Sequence, residues 1–546
     1  MTLLTRGLSR LLHLPAAQTR RLERQRDLPM ELSDGTVLLA DRWFPRGQPT
    51  GLPTLLMRTA YGRRGVWAFE AALMAERGYN VLVQSSRGTH GSGGVFEPFA
   101  HERADGIEAI AWIHAQPWCD GRVATWGSSY CGYTQLALCD GVDPTLLSAL
   151  APSVASADLR DLFRPYDAFT LQSMGGWIYG LDPEGRRGLL GSVQHMRAGR
   201  VPRERITVEL PVRELDVVLT GEPRSYYRDW VDHSRDDPYW DRFDVRAGLR
   251  SQRAPMSFHV GWFDIFTPTQ LDDVAVLLDT DRDIRVTVGP WNHGGGFAMR
   301  MRDALQLFDE TMRGGSARVD ERPIKIQLYG DKRWWAFPSW PIASRPLGYH
   351  LTADGGLSTE APIDLARLEW TDDPADPAPS CGGAALDKGG PVDNAEREAR
   401  PDVLTFTTEP FTEDLVVIGR PRVTMRSDAD VPSYDVVVRL CVVDEQGVSR
   451  NVSDGLQQIA GGTADVEIEL WPVGLRVSAG QRLRLQVAGA LHPLWARNLH
   501  VTGDQAAATT GVPARQALLI APETPARLVL PVVSLGDEDL VRDASR

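Results

Sequence analysis

Apolar and polar positions fall into blocks along this chain, and the blocks change character several times. From about residue 29 to 145, short apolar runs of strand length stand between segments with apolar residues at helical spacing. LADRWFP (39–45), PTLLMRTAY (53–61), YNVLVQSS (79–86) and RVATWG (122–127) read as strands. WAFEAALMAERG (67–78) and DGIEAIAWIHAQ (105–116) read as helices between them. Strands alternating with helices predict a mostly parallel sheet covered on both faces. Residues 146–245 are rich in Arg, Asp and Tyr and mostly helical in pattern, and read as an inserted cap. Strand signals return at PMSFHVGWF (255–263) and RDIRVTVGP (282–290), so the α/β core resumes over 246–318.

Beyond residue 319 the pattern is short strands only, from IKIQLYG to ARLVLPVV, many of them alternating and separated by turn residues. That is the signature of an all-β sandwich or jelly roll filling 319–546. Residues 371–398 read as a polar loop rich in Pro and Gly. Residues 1–28 read as a basic N-terminal arm whose apolar stretch is broken by Arg6 and Arg10, leaving no continuous signal-peptide core.

Composition narrows the function classes. The 546 residues are 42% hydrophobic and 24% charged, enough to bury a core without metal or disulfide, and too many for one domain. A net charge of −13 argues against nucleic acid or an anionic membrane as partner, since phosphate needs a concentrated basic surface. No apolar run approaches the roughly 20 residues that cross a bilayer. The five cysteines follow no metal or redox spacing and read as reduced thiols, which predicts a cytoplasmic protein. No HExxH, Cys/His cluster or Walker sequence is present, so no metal or nucleotide cofactor is expected.

The chemistry concentrates in RVATWGSSYCGYTQLAL (122–138), where a strand ends at Gly127 and a helix begins near Tyr130. A sharp strand–turn–helix that projects a serine above a sheet is a nucleophile elbow. Ser129 has Gly127 two positions before it, whereas Ser128 would have Trp126 there, so Ser129 is the candidate nucleophile. The amide of Tyr130, at the helix N-terminus, is placed to stabilise a developing oxyanion. The glycine expected two positions after the serine is Cys131, so G-x-S-x-x-G alone is weak. A triad also needs an acid and a base, in the chain order Ser, acid, His. His293 follows a strand end in VTVGPWNHGGG, and Asp264 ends the strand SFHVGWFD, both at the edge where open α/β sheets take ligands. His259 reads as strand core, and His90, His101, His114, His195 and His233 as loop or surface. Asp272 and Asp273 read as solvated.

Together these residues resemble the CocE/NonD family, which groups bacterial cocaine esterase, X-prolyl dipeptidyl peptidases, α-amino acid ester hydrolases and glutaryl acylases. The resemblance runs in order through MELSDGTVLLADRWFP (30–45), RTAYGRRG (58–65), GYNVLVQSSRGTHGSGGVF (78–96), WCDGRVATWGSSYCGYTQ (118–135), GWFDIF (261–266) and VGPWNHG (288–294), and enters the β region at 410–440. It implies an α/β-hydrolase core with a helical cap and a C-terminal jelly roll. It implies a serine esterase or acylase acting on a small ester or amide through an acyl-enzyme, without cofactor, as a homodimer or larger homo-oligomer. It also implies that the hydroxyl of Tyr61 joins the Tyr130 amide in the oxyanion hole, and that the cap aromatics Trp177 and Tyr179 line the pocket. The chain departs from the family pattern in three places. Gly62 follows Tyr61, Ser85 stands where an Asp usually precedes T-R-G, and Ile265 and Phe266 stand where the amino-ester hydrolases carry acids. The last change favours an apolar substrate group with Phe266 as a wall. Asp236 and Asp237 are the remaining candidates for an amine anchor, better read as a solvated pair. The rival readings are an X-prolyl dipeptidyl peptidase and, from another class, a non-catalytic binding protein on a hydrolase scaffold.

Overall fold

The computed structural model describes residues 2–181, 201–314 and 321–541; His195 lies outside them. Helix α1 (Thr2–Leu11) leads into β1 (Leu22–Glu31), β2 (Val37–Pro45) and β3 (Leu52–Thr59). Then come α2 (Gly65–Ala75), β4 (Asn80–Ser85), α3 (Glu102–His114), β5 (Cys119–Ser128), α4 (Tyr130–Leu136) and β6 (Ala149–Ser153). Cap helices α5 (Leu171–Leu181) and α6 (Ser225–Asp232) precede β7 (Met256–Phe263), α7 (Thr267–Leu278), β8 (Ile284–Asn292) and α8 (Phe297–Met312). The sheet is completed by β9 (Ile324–Gln327) and β10 (Trp334–Phe337), in the order β1-β2-β4-β3-β5-β6-β7-β8-β9-β10. Pairing is parallel from β4 through β9 and antiparallel at both edges.

Strand alternation sorts the core into two layers. In β3, Leu55 and Met57 pack with α2 and α8 on one face, while Leu56 joins Ile110 and Ile113 of α3 on the other. The second layer does not stop at the core: Phe163 of the cap and Trp495 of the β region belong to the same buried cluster as Val260 of β7.

Four strands depart from the sequence expectation. Leu22–Glu31, which begins inside the segment read as a basic arm, is the edge strand β1; its charges are spent on pairs such as Arg24 with Asp41. The segment read as cap begins with β6, which sits in mid-sheet between β5 and β7; its five residues, ALAPS, include a proline, which argues against a central strand. IKIQLYG and the following WWAF, grouped with the β region by their texture, form β9 and β10 of this ten-stranded sheet.

The β region packs a nine-stranded sheet against a four-stranded one. Residues 371–398, expected as a polar loop, are in part buried: Ala385, Asn394 and Arg397 are all 0% exposed. This segment braces two elements near the site. Gln172 of α5 donates to the carbonyl of Asp387 at 3.0 Å, and Asn292 at the end of β8 donates to that of Gly389 at 3.2 Å. Among the described residues no helix is long and apolar enough to cross a membrane.

Candidate active site

The elbow begins with a close approach. Gly127 has φ +141°, and a Cβ there would lie 2.5 Å from Cβ of Cys131, so only glycine fits. Ser129 follows at φ +61° and ψ −128°, a region side-chain-bearing residues rarely occupy. The conformation is held by its neighbours: the Ser129 amide donates to Ser153 of β6 at 2.9 Å, and its carbonyl accepts from Gly132 and Tyr133 at 2.7 and 3.0 Å. Ser129 stays half-buried with its side chain at the C-terminal edge of the sheet. Tyr130 is the first residue of α4, so its N–H has no partner within the helix. The cysteine in place of the usual glycine is fully buried, and burial pushes its thiol up to about 12, which leaves it inert.

β7 and β8 follow β5 and β6 in the sheet and deliver the other two candidates to the same edge. Asp264 is 0% exposed; one carboxylate oxygen accepts the Phe266 amide at 2.8 Å, and the other bonds His293 Nδ1 at 2.5 Å. Nδ1 therefore carries a proton toward the acid and Nε2 is left for the serine side. Phe266 stacks on the His293 ring at 5.8 Å and 27°, which limits its swing. His259 is indeed core: it lies flat on Trp291 at 4.6 Å and 2°, and burial pulls it down to about 3, so it stays neutral. Asp272 reaches Arg420 of the β region at 2.6 Å and is 60% exposed. Asp273 is a correction: it is 1% exposed, because its carboxylate turns inward to accept from Ser156 and the Ala157 amide.

Tyr61 stands beyond the end of β3. Its hydroxyl accepts from Trp177 Nε1 at 3.1 Å, its ring stacks on Trp67 at 5.7 Å, and it meets Tyr130 edge-on at 6.1 Å. Gly62 after it is required by His90, whose ring would lie 2.8 Å from an added Cβ. Trp177 also stacks on Phe99 and Trp230. Tyr179, two residues on, points about 200° away round the helix, so the two do not share a face. The ion pair that Ser85 cannot supply is made by Asp105 and Asp34, both within 2.6 Å of Arg87. Asp236 is 89% exposed, and Asp237 caps a short helix by accepting from the Tyr239 amide.

A cavity of about 360 Å³ is lined by Ala60, the residue before Tyr61, together with His90, Phe96, Ile178, Arg224 and Tyr226. Sequence reasoning missed Trp67 and Phe99. Trp67 sat in a recognised helix without a sign of its partner. Phe99, at φ +69° in a loop, carries no periodic signal at all.

Two family models match in order: the X-Pro dipeptidyl-peptidase (S15 family) over residues 34–295 and the X-Pro dipeptidyl-peptidase C-terminal non-catalytic domain over 317–529. The cocaine esterase of Rhodococcus sp. (strain MB1 Bresler) is 28% identical over 577 residues, covering 92% of this chain and 97% of its own. An aminopeptidase from a marine sediment Thaumarchaeota archaeon superposes with TM-score 0.79 at 21% identity, covering 95% of this chain and 98% of its own. An α-amino acid ester hydrolase gives 0.77 at 20%, with the same coverages. With the hydrolase half and the β half matched in sequence order, and the same architecture in solved structures, the chain belongs to the CocE/NonD family of serine hydrolases with an α/β-hydrolase core.

Proposed function

We propose that Ser129, Asp264 and His293 form the catalytic triad of an esterase acting on a small ester with an apolar acyl or alcohol group. The observation that carries this reading is the 2.5 Å bond from buried Asp264 to His293, at the same sheet edge as the strained Ser129. His293 Nε2 takes the Ser129 hydroxyl proton as Oγ attacks the ester carbonyl carbon. Asp264 stabilises the imidazolium and holds its tautomer. The Tyr130 amide and the Tyr61 hydroxyl donate to the oxyanion. His293 returns the proton to the leaving alkoxide, and a water activated the same way hydrolyses the acyl-enzyme.

The apolar preference is supported by Phe266, which stacks on the His293 ring. Trp177, bonded to Tyr61, is the cap residue best placed to touch substrate. An X-prolyl dipeptidyl peptidase needs an acid for the substrate ammonium, and the exposure of Asp236 and the capping role of Asp237 disfavour both. The five cysteines, none joined to another, support a cytoplasmic setting; recovery in the cytosolic fraction of the host cell checks it.

The test is labelling with a fluorophosphonate, with mapping of the modified peptide, and a panel of p-nitrophenyl esters against Xaa-Pro anilides. One adduct on Ser129, lost in His293→Ala, and turnover of the esters are expected. No adduct on folded protein would move the binding-protein reading forward, and preference for the anilides would replace esterase by peptidase.

A further inference from the structure

Five charged groups run in a line from the surface to the residue after the serine. Asp34, at the surface, pairs with Arg87 at 2.6 Å, and Arg87 pairs with Asp105 at 2.6 Å. Asp105 lies 3.9 Å from Arg58, and Arg58 lies 2.7 Å from Glu102. Arg58 is 2% exposed and Glu102 3%. The line ends on Tyr130, whose phenol donates to Glu102 Oε1 at 2.6 Å. The phenol oxygen in turn accepts the Phe99 amide at 3.2 Å, and the Phe99 ring stacks on that of Tyr130 at 4.6 Å. Burial first, and the Glu102 charge second, hold the Tyr130 phenol well above its ordinary range, so it remains a donor.

Packing alone does not explain this arrangement. A buried carboxylate is costly unless it is paired and fully bonded, and an apolar side chain would fill the same space without that cost. The reaction steps above use none of these charges. What they share is two elements. Tyr130 opens α4. Arg58 stands on β3 three residues before Tyr61, and it also donates to the Glu102 carbonyl at 2.6 Å.

We propose that Glu102 is a positioning residue for the oxyanion hole, fixing Tyr130 through its phenol and β3 through Arg58, so that the Tyr130 amide and the Tyr61 hydroxyl keep one spacing across Ser129. The inference rests on the reading of those two groups as oxyanion donors. Glu102 touches no substrate; it acts through Tyr130. Donors displaced by a fraction of an ångström lose transition-state stabilisation while substrate binding is kept.

The experiment measures kcat and KM separately, with a p-nitrophenyl ester, for Glu102→Leu, Glu102→Gln, Tyr130→Phe, the double variant Glu102→Leu/Tyr130→Phe, and Tyr61→Phe. Thermal unfolding serves as the folding control. Glu102→Leu and Tyr130→Phe should each lower kcat by about 10- to 100-fold with KM nearly unchanged. The double variant should lose no more than the worse single one, because both cut the same link. Glu102→Gln, which keeps an acceptor for the phenol, should recover most of the loss. Full kcat in folded Glu102→Leu, a rise in KM in place of the fall in kcat, or multiplying losses in the double variant would each overturn the inference. If Glu102→Leu does not fold, Tyr130→Phe decides, since it leaves the Arg58–Glu102 pair in place. Loss in Tyr61→Phe with full kcat in Tyr130→Phe sinks the positioning role alone. Full kcat in Tyr61→Phe sinks the oxyanion-hole reading beneath it.

Discussion

At Ser129 the backbone is part of the chemistry, because φ +61° is tolerated only while Gly127 gives Cys131 room. Gly127→Ala should therefore abolish ester turnover in protein that still unfolds cooperatively; a variant with normal kcat would show that the turn can relax. Asp264→Asn keeps the shape of the acid and loses control of the His293 tautomer, so kcat should fall by about 10⁴-fold with KM little changed. Asp273 gives a test at the same scale that has nothing to do with turnover. Burial pushes its carboxyl up to about 7, against about 3.9 in an unfolded chain. The folded state binds that proton more tightly, so this contribution to stability is complete below about pH 4 and is lost as the pH rises through about 7. Asp273→Asn removes this dependence, and its Tm should gain on that of the parent protein between pH 4 and 7; a constant difference would place the titration elsewhere. The candidate triad was legible because each member sits at a strand end marked by apolar runs and glycines. Asp273 was not, because nothing in LDDVAVLL says which of two adjacent acids turns inward. Glu102 was not either: its partners Arg58 and Tyr130 are far off along the chain.

Among elements, the strands with continuous apolar runs were read correctly, as in NVLVQS of β4, all six residues of which are buried. The ones that escaped have a local reason. β6 hides behind Pro152, and β1 presents charge because one of its faces meets solvent. β9 and β10 look like their neighbours in the β region, and hydrophobic period alone cannot assign a strand to one sheet or another. Their contacts explain the placement. Trp262 of β7 donates to Gln327 of β9 at 2.9 Å, and the Tyr329 amide just beyond donates to Gly474 of the β region at 2.8 Å. A Cβ on Gly474 would lie 2.3 Å from the Trp262 indole. Gly474→Ala should thus cost about 1–3 kcal/mol by overpacking, read as a fall in the urea midpoint with unchanged m; no shift would mean that the junction is loose.

Over the whole molecule, core, cap and β region share one buried cluster, and Arg420 ties Asp272 of α7 to Glu469 of the β region at 2.6 and 3.0 Å. Calorimetry should accordingly show a single cooperative unfolding transition, and two separated transitions would contradict the shared core. The hydrolase sheet also reaches far along the chain for its last edge: in β10, Ala336 donates to the carbonyl of Asp539 and Trp334 accepts from the amide of Val541, at 2.7 and 2.9 Å. On a ribosome that closure has to wait. The roughly 200 residues between Phe337 and Leu540 take about 10–40 s to translate at ordinary rates, and for that interval the nascent enzyme carries an open strand edge. Until then the β10 edge is open to pairing with another chain, although the candidate triad residues have already been synthesised.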